Sequence, residues 1–340
     1  MLIPSVLISL LPALFYIAIV YWFDRYEKEP WWLLSAAFLW GAIPAIILAV
    51  IGELIVELPL SFLMTETGAE NVSITFIGPL IEEGTKGLMI LGILLFWRHE
   101  LDSPLDGLIY GAMIGLGFEV TENFSYFMLG ASQGGQETWG QVVILRTIFN
   151  FLHALTTGAF GLSVAYARLS NRPFLRWFYP IFGFLIALTL HSMHNTMAVL
   201  ASTAGPIALL GALINSYGGM LLLILIAVWS LHQESTWIRK HLLSEVSSGI
   251  LSQDQYQSAC SSILRGFDRL GFLLAGDFRS FRTSGRLFQT CSELAYAKQH
   301  HSNYPSGENR ARIEKLRLKT RTHSQILIQG MSTPVKEKAL

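Results

Sequence analysis

The sequence predicts an all-α protein, a polytopic transmembrane helical bundle of about seven spans with a small helical cytoplasmic tail. Charged residues make up only 14% of the chain and its mean hydropathy is +0.45, whereas soluble domains usually contain about 25% charged residues. Seven apolar stretches approach the roughly 20 residues that a helix needs to cross a bilayer. They are residues 3–22, 32–52, 74–97, 106–129, 142–166, 178–200 and 205–231.

The distribution of charge predicts how these spans are oriented. Basic residues occur in the loops after the first, third and fifth spans and at the start of the tail. They are Arg25, Lys28, Arg98, Arg168, Arg172, Arg176, Arg239 and Lys240. Because loops rich in lysine and arginine stay on the cytoplasmic side, we expect an integral protein of the cell membrane. Its N-terminus is expected outside and its C-terminus in the cytoplasm.

Composition also divides the chain. Residues 1–231 carry 15 acidic and 8 basic residues, whereas residues 232–340 carry 9 acidic and 16 basic residues. We predict a transmembrane domain over residues 1–231, a helical cytoplasmic appendage over 232–325 and a disordered tail over 326–340. The only two cysteines, Cys260 and Cys291, lack the spacing of a metal site or a disulfide framework, which indicates two reduced, buried thiols.

Charged residues inside the spans mark a candidate functional site. The third span contains Glu82, Glu83 and Lys86, and the fourth contains Glu119 and Glu122. Each would cost about 2.5–3.5 kcal/mol if it entered the membrane unpaired. Glu82 and Lys86 are four residues apart on a helix, so they can form an ion pair. We therefore expect these groups to pair or to line water, with close helix packing at the nearby glycines 84, 87, 111, 115 and 117.

Histidines in two further spans complete the candidate site. His153 lies in the middle of the fifth span and His191 in the middle of the sixth. His191 and Asn195 are four residues apart and share a helix face, with His194 beside them. A single buried histidine is more often a hydrogen-bonded core residue than a catalyst. Together with buried carboxylates on separate spans, however, these imidazoles indicate a functional site.

These residue types suggest hydrolysis of an amide inside the membrane. A buried carboxylate can act as a general base on water, and histidine and asparagine can donate hydrogen bonds to a developing oxyanion. Zinc is an alternative cofactor, with His153, His191 and Glu122 as ligands. The sequence lacks the H-E-x-x-H motif, so we prefer a site without metal or other cofactor. A non-catalytic membrane scaffold and a proton-coupled transporter remain alternative functions.

The pattern of these residues resembles the PrsW family of intramembrane proteases, which forms a superfamily with the CAAX prenyl endopeptidases and the Abi proteins. Four motifs carry the resemblance, in order and on separate predicted spans. They are Glu82-Glu83-x-x-Lys86, Phe118-Glu119-x-x-Glu122-Asn123, His153 and His191-x-x-x-Asn195. The resemblance covers about residues 1–231 and leaves the tail outside.

This resemblance implies an endopeptidase whose partners are the lipid bilayer and a membrane-anchored protein substrate, such as an anti-sigma factor, and not nucleic acid. It implies catalytic roles for Glu82, Glu83, His153 and His191. The other motif residues and one neighbour would bind substrate, stabilise the oxyanion or support the catalytic groups. They are Lys86, Phe118, Glu119, Glu122, Asn123, His194 and Asn195.

Overall fold

The computed structural model describes residues 1–148, 151–305 and 307–332, and within these ranges its regular structure is entirely helical. The chain forms two compact units. The first comprises Met1–Asp24 and Glu29–Val228, and the second comprises Arg25–Lys28 together with the chain from Trp229 onward.

Nine α-helices begin in the described part of the first unit. They are α1 (Leu2–Phe23), α2 (Trp31–Trp40), α3 (Ile46–Leu63), α4 (Glu66–Val72), α5 (Gly78–Phe96), α6 (Pro104–Ile148), α7 (Leu152–Leu169), α8 (Pro173–Ala204) and α9 (Pro206–Ser247), the last of which ends in the second unit. Two π-helical turns, Gly41–Ala45 and Ser73–Ile77, join α2 to α3 and α4 to α5.

Five stretches of the described chain are long and apolar enough to cross a membrane. They are Leu2–Phe23, Trp31–Leu60, Pro104–Leu169, Pro173–Ala204 and Pro206–Ser247. The stretch Pro104–Leu169 contains both α6 and α7, which the sequence analysis treated as separate spans. Helix α5 is not among the five, and it carries three charged residues, Glu82, Glu83 and Lys86, within its 19 residues.

The predicted helix over residues 142–166 is wrong in its boundaries. Helix α6 bends at Gly134 and Gly135, where Gly135 has a φ of +64°, and then continues to Ile148. Helix α7 begins only at Leu152, after Phe151, whose φ of −155° is incompatible with a helix. The part of α6 after this bend therefore folds back towards the part before it. Arg146 lies in the part that folds back, within reach of Glu122.

Glycines allow α6 to approach α7 at backbone distance. A Cβ atom added to Gly115 would lie 2.1 Å from the carbonyl oxygen of His153, and one added to Gly111 would lie 2.3 Å from that of Thr157. Such contacts exclude any side chain at either position. The glycines thus fix the position of His153 along the contact between α6 and α7. Gly84, by contrast, has no atom within 4 Å of such a Cβ, so the predicted close packing fails there.

The first unit buries a group of charged and polar side chains and exposes many large apolar ones. Glu83, Lys86, His153 and His191 are each at most 2% exposed, whereas Phe62 is 87% exposed. A soluble protein shows the opposite distribution. This arrangement is the one expected where lipid, rather than water, surrounds the helices.

The second unit has an ordinary apolar core. It contains α10 (Gln253–Ala259), α11 (Ser262–Leu274), α12 (Phe278–Asn303) and α13 (Gly307–Ser332). Leu287 and Leu294 of α12 are fully buried. Both cysteines are free and buried, as predicted. Burial raises the pKa of the Cys291 thiol to about 12.

The start of the predicted disordered tail requires correction. Residues 326–332 belong to α13, which is held by the buried side chain of Leu327. An apolar residue that faces a core stabilises a helical turn even where the sequence around it is polar. The remainder of that predicted segment, 333–340, lies outside the described residues.

Candidate active site

Glu83 is the most highly connected carboxylate of the site. Its Oε1 atom accepts hydrogen bonds from Lys86 Nζ at 2.6 Å and from Thr156 Oγ1 at 2.9 Å. Its Oε2 atom accepts one from Thr157 Oγ1 at 3.2 Å. Helical spacing predicted an ion pair between Lys86 and Glu82, whose Oε2 atom does lie 4.0 Å from Lys86 Nζ, farther away than Glu83 Oε1. Glu83 is closer because its carboxylate faces α7, where the two threonines hold it.

The two predicted histidines meet across the site. His191 Nδ1 lies 2.9 Å from Glu83 Oε1 and donates to it. On the other ring, His153 Nδ1 accepts from Lys86 Nζ at 2.9 Å, and its Nε2 donates to Glu122 Oε2 at 2.7 Å. The ring centroids of the two histidines are 4.9 Å apart. Four helices, α5, α6, α7 and α8, therefore bring these side chains together.

Glu82 differs from its neighbour in having an unpaired oxygen. Its Oε2 atom is buried and has no hydrogen-bond partner among the described residues. That atom lies 3.8 Å from His153 Nδ1 and 3.8 Å from His191 Nε2. A buried carboxylate oxygen usually accepts hydrogen bonds, so this one is available to a water molecule or a cation between the two rings.

Helix α6 contributes a second pair of carboxylates. Glu119 Oε2 accepts from the backbone N–H of His153 at 3.3 Å. That N–H is one of the unpaired donors in the first turn of α7, and a negative charge at this end is favourable. Glu119 Oε1 also accepts from Asn123 Nδ2 at 3.2 Å. Glu119 therefore supports the helix that carries His153.

Arg146 was missed by the sequence analysis. Its guanidinium group donates to Glu122 Oε2 and to Asn123 Oδ1, and it lies 4.1 Å from the centroid of the Tyr126 ring. The signal in the sequence was a single arginine after the apolar run 142–145. A charge in such a position needs a buried partner, and Glu122 provides it here.

The remaining motif residues lie close to the same site. The Phe118 ring is packed against Lys86 Nζ, 4.6 Å from its centroid, and against the His153 ring. His194 Nδ1 lies 3.0 Å from Ser216 Oγ. Asn195, a predicted oxyanion donor, directs Nδ2 to the carbonyl oxygen of Ile74, at 2.9 Å. Asn195 thus ties α8 to the π-helical turn that precedes α5.

A cavity of about 350 Å³ opens beside this network. Its polar side is formed by six predicted residues and Arg146, and its apolar side mainly by residues of α8 and α9. The polar lining consists of Glu119, Glu122, Arg146, His153, His191, His194 and Asn195, and the apolar lining includes Ala198, Ala201, Leu209 and Ala212. The volume is sufficient for a short segment of peptide.

The donor atoms fit a divalent metal ion. Among the described residues, Glu82, His153 and His191 each place one ligand atom within 4.8 Å of the others, as do Glu119, Glu122 and His153. Two imidazoles and one carboxylate are a typical catalytic zinc set. Glu82, rather than the expected Glu122, lies with both imidazoles, because Glu122 contacts His153 from the opposite ring nitrogen. Lys86 already donates to His153 Nδ1, so a metal there would displace that hydrogen bond.

Comparison with known proteins identifies the family. The family model described as PrsW family intramembrane metalloprotease matches residues 29–230, more than half of the chain. This chain belongs to the PrsW family. It is an integral membrane protein with several apolar helices, and the family supports a peptidase activity in the membrane. The matched region contains every residue of the site described above.

Curated relatives carry the same family name. The protein named Protease PrsW from Clostridioides difficile (strain 630) is 26% identical over 173 residues, which are 51% of this chain and 69% of the relative. Protease PrsW from Shouchella clausii (strain KSM-K16) is 26% identical over 236 residues, 68% of this chain and 96% of the relative. Protease PrsW from Geobacillus kaustophilus (strain HTA426) is 25% identical over 191 residues, covering 54% and 75% of the two chains. No solved structure matches the chain.

Proposed function

We propose that this protein is an intramembrane endopeptidase that hydrolyses peptide bonds of membrane-anchored proteins, with Glu82 as the general base. The observation that carries the proposal is the unpaired Oε2 atom of Glu82, which lies 3.8 Å from an imidazole nitrogen of both His153 and His191. A water molecule between these groups could donate to the carboxylate and contact both rings. The kinship with the CAAX prenyl endopeptidases stays a prediction.

The reaction would begin with proton transfer from water to Glu82. The oxygen of that water would bond to the scissile carbonyl carbon, and the carbonyl oxygen would become an oxyanion. His191 donates from Nδ1 to Glu83, so it would donate to that oxyanion from Nε2 as the doubly protonated imidazolium, which the Glu83 carboxylate stabilises. Glu82 would then return the proton to the leaving nitrogen as the carbon–nitrogen bond breaks, so that proton and electron pair balance.

Glu83 and Lys86 are assigned a different task in this proposal. Both Glu83 oxygens already accept hydrogen bonds, so this carboxylate has little capacity left for water. It orients His191 through Nδ1, as carboxylates do for catalytic histidines. Lys86 Nζ lies 4.0 Å from Glu82 Oε2, so its positive charge balances the negative charge of that carboxylate. The two neighbouring glutamates thus differ in role because their surroundings differ.

A metal-dependent version of the reaction uses the same residues. Glu82, His153 and His191 would hold the ion. Such an ion supplies a Lewis acid and a water molecule of lowered pKa. We favour the metal-free version because Lys86 already occupies His153 Nδ1. Cleavage that a chelator abolishes, and that added zinc restores, would establish the metal-dependent version instead.

The cavity supports an apolar substrate residue next to the scissile bond. Small alanines of α8 and α9 line it, together with the polar side chains of Arg146, His194 and Asn195. A transmembrane segment provides apolar side chains beside a polar backbone, which matches both kinds of lining. The substrate class is therefore a single-span membrane protein, of which an anti-sigma factor would be one example.

Topology forms part of the same proposal. Separating α6 from α7 and adding α5 to the five apolar stretches would give seven spans. Glu82, Glu83 and Lys86 would then enter the membrane as a paired network rather than as isolated charges. We propose an outside N-terminus and a cytoplasmic tail, in the cell membrane, because the basic loops fall on one side.

A reporter assay tests the catalytic assignment. The protein would be expressed with a tagged single-span reporter, and cleavage would be compared between wild type, Glu82→Gln, His153→Ala and His191→Ala. Glu70→Gln, an exposed position on α4, serves as the control. We expect a loss of about 10²–10⁴-fold for Glu82→Gln. Cleavage that survives all three site variants would refute the catalytic assignment, whereas a wild-type protein that adds no cleavage to the reporter would favour a scaffold or a transporter.

A further inference from the structure

Helix α11 of the second unit is oriented with its apolar side outward. Ile263, Phe267, Leu270 and Leu274 are 68%, 66%, 47% and 79% exposed. Their spacing of four, three and four residues places them on one face of the helix. Arg265, in contrast, points into the unit and is only 6% exposed. A helix of a soluble domain would present the opposite side to the core.

Hydrogen bonds to Arg265 fix this orientation. The guanidinium group donates from Nη1 to the carbonyl oxygen of Tyr26 at 2.6 Å and from Nε to that of Ala259 at 3.0 Å. Nη2 donates to Ser292 Oγ at 2.9 Å. The Tyr26 and Phe288 rings lie 5.4 Å and 5.5 Å from the guanidinium carbon. An arginine held by so many partners cannot rotate outward, so the apolar face stays outside.

A basic cavity of about 360 Å³ lies beside the same helix. Its lining includes four basic residues, Arg25, Lys28, Arg265 and Arg269, and no aspartate or glutamate is among its described lining residues. Leu270 and Leu273 of α11 line it as well. The cavity therefore joins positive charge to apolar surface, which complements the negative head group and the acyl chains of an anionic phospholipid.

Chain connectivity places this region close to a membrane. Residues Arg25–Lys28 belong to the second unit, yet they lie between Phe23, the last residue of α1, and Trp31, the first residue of α2. The stretches that end and begin there, Leu2–Phe23 and Trp31–Leu60, are each long and apolar enough to cross the bilayer. Tyr26 is three residues from the end of α1, and its carbonyl oxygen is bound by Arg265.

We propose that α11 lies in the surface of the membrane, with its apolar face among the acyl chains, and that the basic cavity binds the head group of an anionic phospholipid. A partly inserted amphipathic helix has this division between faces. The nearby positive charges then attract an anionic leaflet. Lipid, and not a second copy of the chain or another protein, would then cover the exposed face of α11.

Single-cysteine labelling of the full-length chain tests the position of α11. Cys260→Ala and Cys291→Ala provide the background, and Phe267→Cys is compared with Asp268→Cys, an exposed position on another side of the helix. Each variant carries bimane in nanodiscs that hold one chain in equal parts of phosphatidylcholine and phosphatidylglycerol. We expect quenching by doxyl-labelled lipid at position 267. Quenching by iodide there should be about fivefold weaker than at 268, as for a side chain within the interface.

Two results of this experiment would overturn the proposal. Equal quenching of both positions by iodide would mean that α11 faces water. Protection of position 267 from iodide and from doxyl-labelled lipid alike would mean that protein, such as another part of the chain, covers it. Elution of each variant as a single species on size exclusion, with reporter cleavage retained, shows that folding is intact before the labels are compared.

The lipid charge is tested with variants of the basic cavity. Arg269→Ala is compared with Arg279→Ala, an exposed arginine of α12 outside the cavity lining. Retention of phosphatidylglycerol over phosphatidylcholine after purification is measured by mass spectrometry. We expect about a fivefold loss of this preference for Arg269→Ala, which corresponds to one basic group near a lipid surface, and none for Arg279→Ala. Equal retention in both variants would remove the head-group site from the proposal.

Discussion

Two carboxylates, Glu245 in the second unit and Glu82 in the first, differ in how many of their oxygens accept hydrogen bonds. Glu245 of the second unit is fully buried, and it accepts hydrogen bonds from Lys298 and from Arg317. Glu82 of the first unit has one oxygen without a hydrogen-bond partner among the described residues, close to two imidazoles and 4.0 Å from Lys86 Nζ. A buried carboxylate whose oxygens all accept hydrogen bonds from cations connects helices, whereas one with a free acceptor position beside reactive side chains can bind and activate water.

Glu83 offers the sharpest way to test this contrast, because it adjoins Glu82 but resembles Glu245 in its bonding. Glu83→Gln removes the charge that Lys86 and His191 contact, so we expect a loss of about 3–5 kcal/mol in the free energy of unfolding together with the loss of cleavage. Thermal unfolding in detergent and the reporter assay measure the two effects. Glu82→Gln should abolish cleavage with little destabilisation, and equal destabilisation by both variants would contradict the distinction.

Glu245→Gln examines the structural side of the comparison. Lys298 and Arg317 would lose their shared partner, and we expect about 2 kcal/mol of destabilisation in the second unit, less than at Glu83 because Arg317 is partly exposed. Limited proteolysis of the tail reports this loss. Glu314→Gln is the control, because its side chain is 61% exposed and its pair with Arg317 is a surface contact. A similar effect of both changes would show that the burial of Glu245 is unimportant.

Arg146 tests whether the site depends on a residue that contacts Glu122 and Asn123 rather than Glu82. Arg146→Lys keeps the positive charge but removes the planar fork that contacts both Glu122 and Asn123. We expect about a tenfold lower cleavage rate with little change in stability, since Glu122 would hold His153 less firmly. Arg168→Lys, at the end of α7 and outside the cavity lining, is the control. An unchanged rate in Arg146→Lys would mean that Glu122 needs no such support.

The smallest expected effect concerns the apolar side of the cavity. Ala201→Leu fills part of the space between α8 and α9, so we expect reporters with a large apolar residue near the cleavage point to be cut about fivefold less well than those with alanine. Ala204→Leu, at the exposed end of α8, is the matched control. If both variants keep the wild-type preference, this cavity does not receive the substrate side chain.

The sequence predicted the membrane class from local information, and it predicted most of the polar residues that lie together between the helices, although not Arg146. Apolar runs show which segments enter the bilayer, and charges within those runs are costly enough to indicate a shared purpose. His153 and His191 do meet Glu82, Glu83 and Lys86, as that reasoning expected. The catalytic roles, the domain boundaries and the absence of a cofactor stay predictions.

Tertiary structure alone decided which groups pair and which are left open. Spacing along a helix favoured Glu82 as the nearest partner of Lys86. Hydrogen bonds from two threonines of α7 instead hold the Glu83 carboxylate next to the Lys86 ammonium group. Arg146 reaches Glu122 only because α6 bends at its two glycines and returns. Hydropathy and helical period describe neighbours within one helix, whereas hydrogen bonds between helices depend on how closely their backbones approach.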